Sequence, residues 1–347
     1  MGLAQKVAER ALVPDFLVRV EIRRLIRDRL RDERGGTPAQ RAERFAASIE
    51  ALRDSPVALH TGVANRQHYE VPTEFFEIVL GRHLKYSACL WTDDTRDLDE
   101  AEARMLSLYA ERAELADGQR ILDLGCGWGS FSLWAARRYP RAHITAVSNS
   151  RTQRAFIETQ AAARELSNIR VITADANGLD FPPDSFDRVV SVEMFEHVRN
   201  YQALLGRIAR WLARDGKLFV HIFCHRELMY PFETAGDDNW MGRHFFTGGL
   251  MPSAATLAHF QHDMRIESTW FVSGRHYQRT AAAWLARMDA RRGEIRQALA
   301  AVYGDDVDRW VQRWRFFFMA CEELFGYGGG NEWHVGHYRM VPRPEAS

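Results

Sequence analysis

Only four cysteines, Cys89, Cys126, Cys224 and Cys321, occur in 347 residues, and no two form a C-x-x-C pair. That argues against a disulfide scaffold or a zinc ribbon and fits a reducing compartment, so a cytoplasmic location is expected. Charge of one sign is also missing, because 46 Lys and Arg balance 46 Asp and Glu. A dedicated phosphate-backbone binder needs a basic excess, so nucleic acid is not an expected partner. The longest apolar runs, such as Leu218 to Cys224, fall far short of the roughly 20 residues of a spanning helix. Lys6, Glu9 and Arg10 interrupt the apolar character of the N-terminus, and no signal peptide is expected. There is no internal repeat and no low-complexity tract.

What is present reads as an α/β protein with additions at both ends. Residues 1–60 form a helical N-terminal segment. Phe16, Leu17, Val20, Ile22, Leu25, Ile26 and Leu30 make an apolar stripe bordered by arginines, and Gly35-Gly36 ends it. Thr37-Pro38-Ala39-Gln40 then reads as an N-cap, an N1 proline and a capping-box glutamine. Acidic residues dilute the basic face of the first helix, which favours packing within the chain over a membrane surface. Residues 61–117 interleave aromatic and polar side chains as a pocket wall and cofactor cover. From 118 to 224, strands at Arg120–Leu124, Ala142–Val147, Ile169–Thr173, Phe186–Val192 and Gly216–Ile222 alternate with helical runs, which predicts a parallel sheet covered on both faces. Residues 225–300 interrupt that rhythm as an insertion after strand five, a lid over the substrate. Residues 301–347 supply a C-terminal helix and a closing strand, with helical runs at Thr280–Arg296 and Asp306–Leu324 and the strand at Trp333–Val341.

Strand one ends in Asp123-Leu124-Gly125-Cys126-Gly127-Trp128-Gly129. Glycines at alternate positions let the backbone pass close to a ligand before turning into a helix. The nicotinamide fingerprint does not fit this spacing, and no G-K-[ST] phosphate loop is present. Asp123, two residues before the first glycine, suits a ligand with a cationic amine, such as the methionyl end of S-adenosylmethionine. The end of strand two lacks the usual ribose-binding acid. Ser148, Asn149 or Gln153 must supply the polar contacts there, and Asp175-Ala176 stands where an adenine edge would fall. Asp175 serves equally well as a turn cap.

Strand four runs into Val192-Glu193-Met194-Phe195-Glu196-His197-Val198. Two carboxylates and a histidine at the carboxyl edge of a parallel sheet, among apolar neighbours, point to acid–base chemistry. Glu193 and Glu196 would share one face if the chain turns helical after Val192. His221, at the end of strand five, lines the same crevice. No histidine pair has metal-ligand spacing on a plausible helix, so no metal is expected.

The glycine turn together with Met194-Phe195-Glu196-His197-Val198, His68-Tyr69, Tyr86-Ser87 and His276-Tyr277 resembles the cyclopropane-fatty-acid synthase superfamily of S-adenosylmethionine-dependent methyltransferases. Gln67-His68-Tyr69-Glu70-Val71-Pro72-Thr73-Glu74-Phe75-Phe76, Phe245-Phe246-Thr247-Gly248-Gly249-Leu250-Met251-Pro252-Ser253, Glu322-Glu323-Leu324-Phe325-Gly326-Tyr327 and Asn331-Glu332-Trp333 look like its coclaurine N-methyltransferase branch. The resemblance covers about residues 60–342. It implies a Rossmann-like class I methyltransferase sheet, S-adenosylmethionine as cofactor, with Tyr86, Ser87 and Glu193 beside it, and a catalytic Glu196–His197 pair supported by Glu193. In that superfamily a bicarbonate site would map onto Glu196, His221 and Tyr277, and the position of Glu193 is typically glycine. The Tyr-Ser-Cys motif is altered, with Ala88 in the cysteine position and Cys89 following. The expected reaction is N-methylation of a small-molecule amine, with Tyr69, Phe245, Phe246, Trp270 and Trp333 as candidate aromatic walls. The alternative is a lipid cyclopropane synthase or C-methyltransferase, which would use bicarbonate and touch a membrane peripherally.

Overall fold

The computed structural model describes residue 9 and residues 13–59, 71–236 and 239–344. The Gln67–Glu70 part of the branch motif, with His68 and Tyr69, lies outside them.

Two helices open the described chain, α1 (Asp15–Glu33) and α2 (Pro38–Arg53). Thr37 and Gln40 close a reciprocal capping box in front of α2, with Pro38 at its first position. The stripe of α1 buries Ile26 and Leu30, while Phe16, Leu17 and Val20 stay exposed. Arg19 pairs with Glu322 at 2.7 Å and Glu323 at 2.8 Å, so α1 packs against the C-terminal part of the same chain.

The short helices α3 (Thr73–Val79) and α4 (Leu98–Arg112) lead into the alternating core. There β1 (Arg120–Leu124), α5 (Ser130–Arg138), β2 (His143–Ser148), α6 (Arg151–Ala163), β3 (Ile169–Thr173), β4 (Phe186–Val192), α7 (Tyr201–Trp211) and β5 (Leu212–His225) follow in order. The insertion carries β6 (Tyr230–Pro231), α8 (Trp240–His244) and β7 (Leu250–Met251). Then come β8 (Met264–Val272), α9 (Gly274–Ala290), α10 (Arg292–Tyr303), α11 (Val307–Gly326) and β9 (Trp333–Pro342).

Seven strands form one sheet in the order β3-β2-β1-β4-β5-β9-β8. The first five run parallel, and β9 lies antiparallel between β5 and β8. The buried runs of β1, β4 and β5 are near-continuous, as expected for strands covered on both faces.

Three elements differ from the sequence reading. The edge strand β8 falls inside the stretch assigned to the insertion. Its buried and exposed residues alternate, and Glu267 and Ser268 keep its apolar signal weak. The run expected over Thr280–Arg296 is two helices that break at Arg291, the first beginning at Gly274. A Cβ at Gly274 would lie 2.1 Å from the Trp333 carbonyl oxygen, so close packing on β9 puts a weak helix former at the helix start. Finally, β5 is longer at both ends than Gly216–Ile222.

Candidate active site

The strand order reverses between β1 and β4, and the loops at their carboxyl ends part to leave a crevice. Two adjoining hollows of about 760 and 900 Å³ lie there, and Gly125, Gly127, Gln153, Glu193 and His197 border both.

The first hollow is walled by Ala58, Leu59, Ser148, Asn149, Ala176 and Leu179. Gly127 holds φ at +52°, and a Cβ there would meet nothing within 4 Å, so the turn faces open space with a conformation that suits glycine. Gly129 has a different role. It is the left-handed N-cap of α5, and a Cβ there would lie 2.7 Å from Ile157, so its bareness serves packing. Asp123 borders the second hollow, is almost fully buried, and accepts a hydrogen bond from Ser132. Burial pushes its carboxyl up to about 7.

Ser148 donates to the Gln153 side-chain oxygen at 2.6 Å. That fixes the amide orientation, and the buried Gln153 Nε2 has no partner. A donor orphaned at the border of both hollows, a buried acid and an open glycine turn together fit a ligand with hydroxyls at its centre and an ammonium at one end. In that fit Asp123 would hold the ammonium end of S-adenosylmethionine, and Ser148, Asn149 and Gln153 would hold its ribose. Ala176 lines the first hollow, but the Asp175 carboxylate accepts the Asn177 N–H at 2.8 Å and is not on the wall. The turn-cap reading of Asp175 is the one the structure supports.

The second hollow holds the titratable cluster. Glu193 follows β4 with φ at +46°, the left-handed region that favours glycine. Its carboxylate accepts from the Ala88 N–H at 3.0 Å, the Tyr277 hydroxyl at 2.7 Å, and His221 Nε2 at 3.1 Å. The 84–88 loop that supplies Ala88 is held by buried Glu102, which accepts the N–H groups of Gly81, His83 and Lys85. Lys85 lies buried beside the site, donating to Ser87 Oγ at 2.5 Å and to the Ala88 carbonyl at 2.6 Å. Burial raises the Glu193 carboxyl above the usual carboxylate range, and the Lys85 charge pulls it back down.

After Glu193 the chain makes a single 3-10 turn, Phe195–His197, which separates the two glutamates. Glu196 is fully buried, and its Oε1 accepts the Phe223 N–H at 2.8 Å while Oε2 has no partner. Burial, with the Glu193 charge added, raises its carboxyl well above the usual range. It does not line either hollow, whereas Glu193 and His197 do. The His197 ring stacks on Phe246 at 4.9 Å between centroids. His221 and Tyr277 converge on Glu193, so the trio Glu196, His221 and Tyr277 is not one cradle.

Tyr86, Ser87, Phe223, Phe246, Tyr277 and Phe317 complete the wall. Of the aromatics singled out in the sequence that lie among the described residues, only Phe246 is on it. Phe245 is buried against Phe317 at 4.5 Å, Trp333 donates to the Tyr230 hydroxyl in the core, and Trp270 sits on β8 under Arg112 and Arg339. Phe223 and Lys85 escaped the sequence reading. Phe223 was findable, since it stands two residues after His221 and so shares its face of β5.

This sheet and cavity define an S-adenosylmethionine-dependent methyltransferase. The chain belongs to the mycolic acid cyclopropane synthetase family, whose model matches residues 60–335. It is 39% identical to an (S)-coclaurine N-methyltransferase of Thalictrum flavum subsp. glaucum over 341 residues, covering 96% of this chain and 93% of that one. A cyclopropane-fatty-acyl-phospholipid synthase of Escherichia coli strain K12 is 26% identical over 281 residues, covering 80% and 68%. Among solved structures, a coclaurine N-methyltransferase bound to N-methylheliamine and S-adenosylhomocysteine superposes with a TM-score of 0.93 at 35% identity, covering 97% and 98%. A cyclopropane synthase from Mycobacterium tuberculosis shares the fold, with a TM-score of 0.70 at 20% identity.

Proposed function

We propose that the chain methylates the nitrogen of a small-molecule amine of the tetrahydroisoquinoline kind. The observation that carries this reading is the Glu193 carboxylate, kept on a backbone that favours glycine and held by Ala88, His221 and Tyr277 at the cavity wall. A non-glycine residue in that conformation costs roughly 1–2 kcal/mol. Burying a carboxylate there costs several more unless something charged meets it. A protonated amine would meet it; an acyl chain would not. The coclaurine N-methyltransferase likeness supports the same reading.

S-adenosylmethionine supplies an electrophilic methyl group on a sulfonium. The acceptor must arrive with a free lone pair. An amine with a pKa near 10.4 is only about one part in a thousand neutral at pH 7, and deprotonation costs roughly 4–5 kcal/mol. Glu193 binds the ammonium, and His197, on the same wall, takes its proton. The neutral nitrogen then forms the N–C bond as the C–S bond breaks, and the proton leaves with His197. Glu196 lies one turn behind, where burial and the Glu193 charge favour its protonated form, so the two carboxyls divide into an anion at the wall and a more weakly acidic group beneath it. Phe246, Phe223 and Tyr277 give an aromatic wall for a planar ring and its cation.

The Glu193 carboxylate takes the Tyr277 hydroxyl and His221 Nε2, two of the groups that the resemblance assigns to bicarbonate, which disfavours the lipid alternative. Among the described residues no helix is long and apolar enough to cross a membrane. The four free cysteines are all buried, which fits the cytoplasmic location we propose. Purified protein with methyl-labelled S-adenosylmethionine, offered tetrahydroisoquinolines and unsaturated phospholipid vesicles in parallel, tests the acceptor class. Label is expected in the amine; label in lipid alone would overturn the assignment.

A further inference from the structure

One hydrogen bond of Glu193 continues away from the cavity, across the sheet. His221 Nδ1 lies 2.8 Å from His337 Nε2, and His337 Nδ1 lies 2.6 Å from Arg112 Nη1. His221 and His337 are register partners on antiparallel β5 and β9, so the sheet sets their approach. Both rings are fully buried. Arg112, near the end of α4, is partly exposed, and its guanidinium lies 5.0 Å over the Trp270 ring.

A guanidinium only donates, and a neutral imidazole has one N–H and one acceptor nitrogen. His337 Nδ1 therefore accepts from Arg112, which leaves its proton on Nε2. That N–H points at His221 Nδ1, which accepts in turn, so the proton of His221 stands on Nε2 and donates to Glu193. The Tyr109 hydroxyl also lies 2.9 Å from that Nδ1, whose single lone pair the His337 N–H takes. We propose that Arg112 and His337 are positioning residues that lock His221 as a donor to Glu193 and so keep that carboxylate in its ionised form. The consequence for catalysis rests on Glu193 being the amine-binding carboxylate proposed above.

The argument requires both imidazoles to be neutral. Burial holds both well below the ordinary histidine value, and the positive charges of Lys85 and Arg112 act the same way. Without Arg112 the relay is free to reverse. His221 would then turn a lone pair toward Glu193, which could satisfy it only by taking a proton. The other groups that face Glu193 are Lys85 and Ala88 of the 84–88 loop, Tyr109 of α4, Glu196 of the 3-10 turn, Tyr277 of α9 and Cys321 of α11. None of them is altered by a change at Arg112.

The full chain with nitrogen-labelled histidine gives the test, by long-range proton–nitrogen correlation spectra at pH 7. His221→Gln and His337→Gln assign the two rings. Both are expected neutral with the proton on Nε2, a pattern lost in Arg112→Met and kept in Arg112→Lys. A proton on Nδ1 of either ring, an imidazolium, or an unchanged pattern in Arg112→Met would overturn the lock. In the kinetic arm, the acid limb of kcat/KM for the amine should move up about one pH unit in Arg112→Met, or about tenfold in rate below the limb, and return in Arg112→Lys. A limb that stays put would cut the link to Glu193. If the wild type methylates no amine, the proposed function fails, and the spectra still decide the tautomers.

Discussion

The two hollows of the cavity are built in opposite ways. The first hollow is lined mainly by small and apolar residues with Ser148, Asn149 and Gln153 among them, it shares Glu193 and His197 with the second, and its wall comes largely from consecutive turns after β1, β2 and β3. The second hollow crowds Lys85, Glu193, His197 and Tyr277 into one wall, with His221 and Glu196 behind it, and those residues come from four separated parts of the chain. On the proposed function the first takes the cofactor by backbone and neutral polar groups with Asp123 at its far end, and the second meets the acceptor's charge with Glu193.

Changes on the two sides should therefore separate cleanly. The largest effect is expected from Glu193→Gln. It should lower kcat for the amine by about a hundredfold or more, the scale of a lost acid–base group, while cofactor affinity changes less than about threefold. Stopped-turnover rates with parallel calorimetry check this, and an equal loss in both would erase the distinction. Asp123→Asn should do the reverse. A charge-assisted hydrogen bond of about 1.5–3 kcal/mol predicts roughly tenfold to hundredfold weaker S-adenosylmethionine binding.

pH sharpens the same contrast. Burial puts the Asp123 carboxyl at about 7 in the empty protein, and the cationic ligand needs it ionised. A group ionised by binding releases its proton. Affinity should weaken as pH falls below 7, with protons released on binding at pH 6. Calorimetry in two buffers of different ionisation enthalpy would show it, and binding without proton release would remove Asp123 from the ammonium end.

Glu196→Gln is expected to cost about tenfold in kcat with cofactor affinity unchanged, less than Glu193→Gln, because the buried Glu196 is the more weakly acidic partner. A larger loss than for Glu193→Gln would return the leading role to the Glu196–His197 pair. The smallest effect concerns folding rather than chemistry. Gly129→Ala should lower stability by about 1–3 kcal/mol through its left-handed backbone and the Ile157 clash, with little change in KM. Denaturant midpoints would record it.

The same contrast explains what the sequence disclosed. Asp123, Gly125, Gly127, Ser148 and Gln153 were legible because one βαβ unit brings nearby residues together, and the order of strands and helices could be followed by period. Within the acceptor side, the acids and His197 were visible as a cluster, but their partners were not. Nothing in sequence places Tyr277 or Ala88 on Glu193, or His337 opposite His221, because those meetings depend on sheet register and on loop 84–88 being held by Glu102. Aromatic residues were the least legible. Phe245 and Phe246 are adjacent, yet one packs in the core and the other lines the hollow. β8 was missed for a related reason, since an edge strand with Glu267 turned outward carries little apolar signal.

The central claim is that the Glu193 side chain is the carboxylate that meets the protonated amine, with no need of a bound bicarbonate. The most direct measurement compares methyl transfer to a tetrahydroisoquinoline by the wild type and by Glu193→Gly, each with bicarbonate removed and restored. Glycine suits the backbone at that position, and the variant leaves the Ala88, His221 and Tyr277 donors facing an open place. The account predicts a wild type indifferent to bicarbonate and a Glu193→Gly enzyme that loses about a hundredfold and recovers part of it when bicarbonate returns. A wild type that needs bicarbonate, or a Glu193→Gly enzyme that keeps its full rate without it, would contradict the claim.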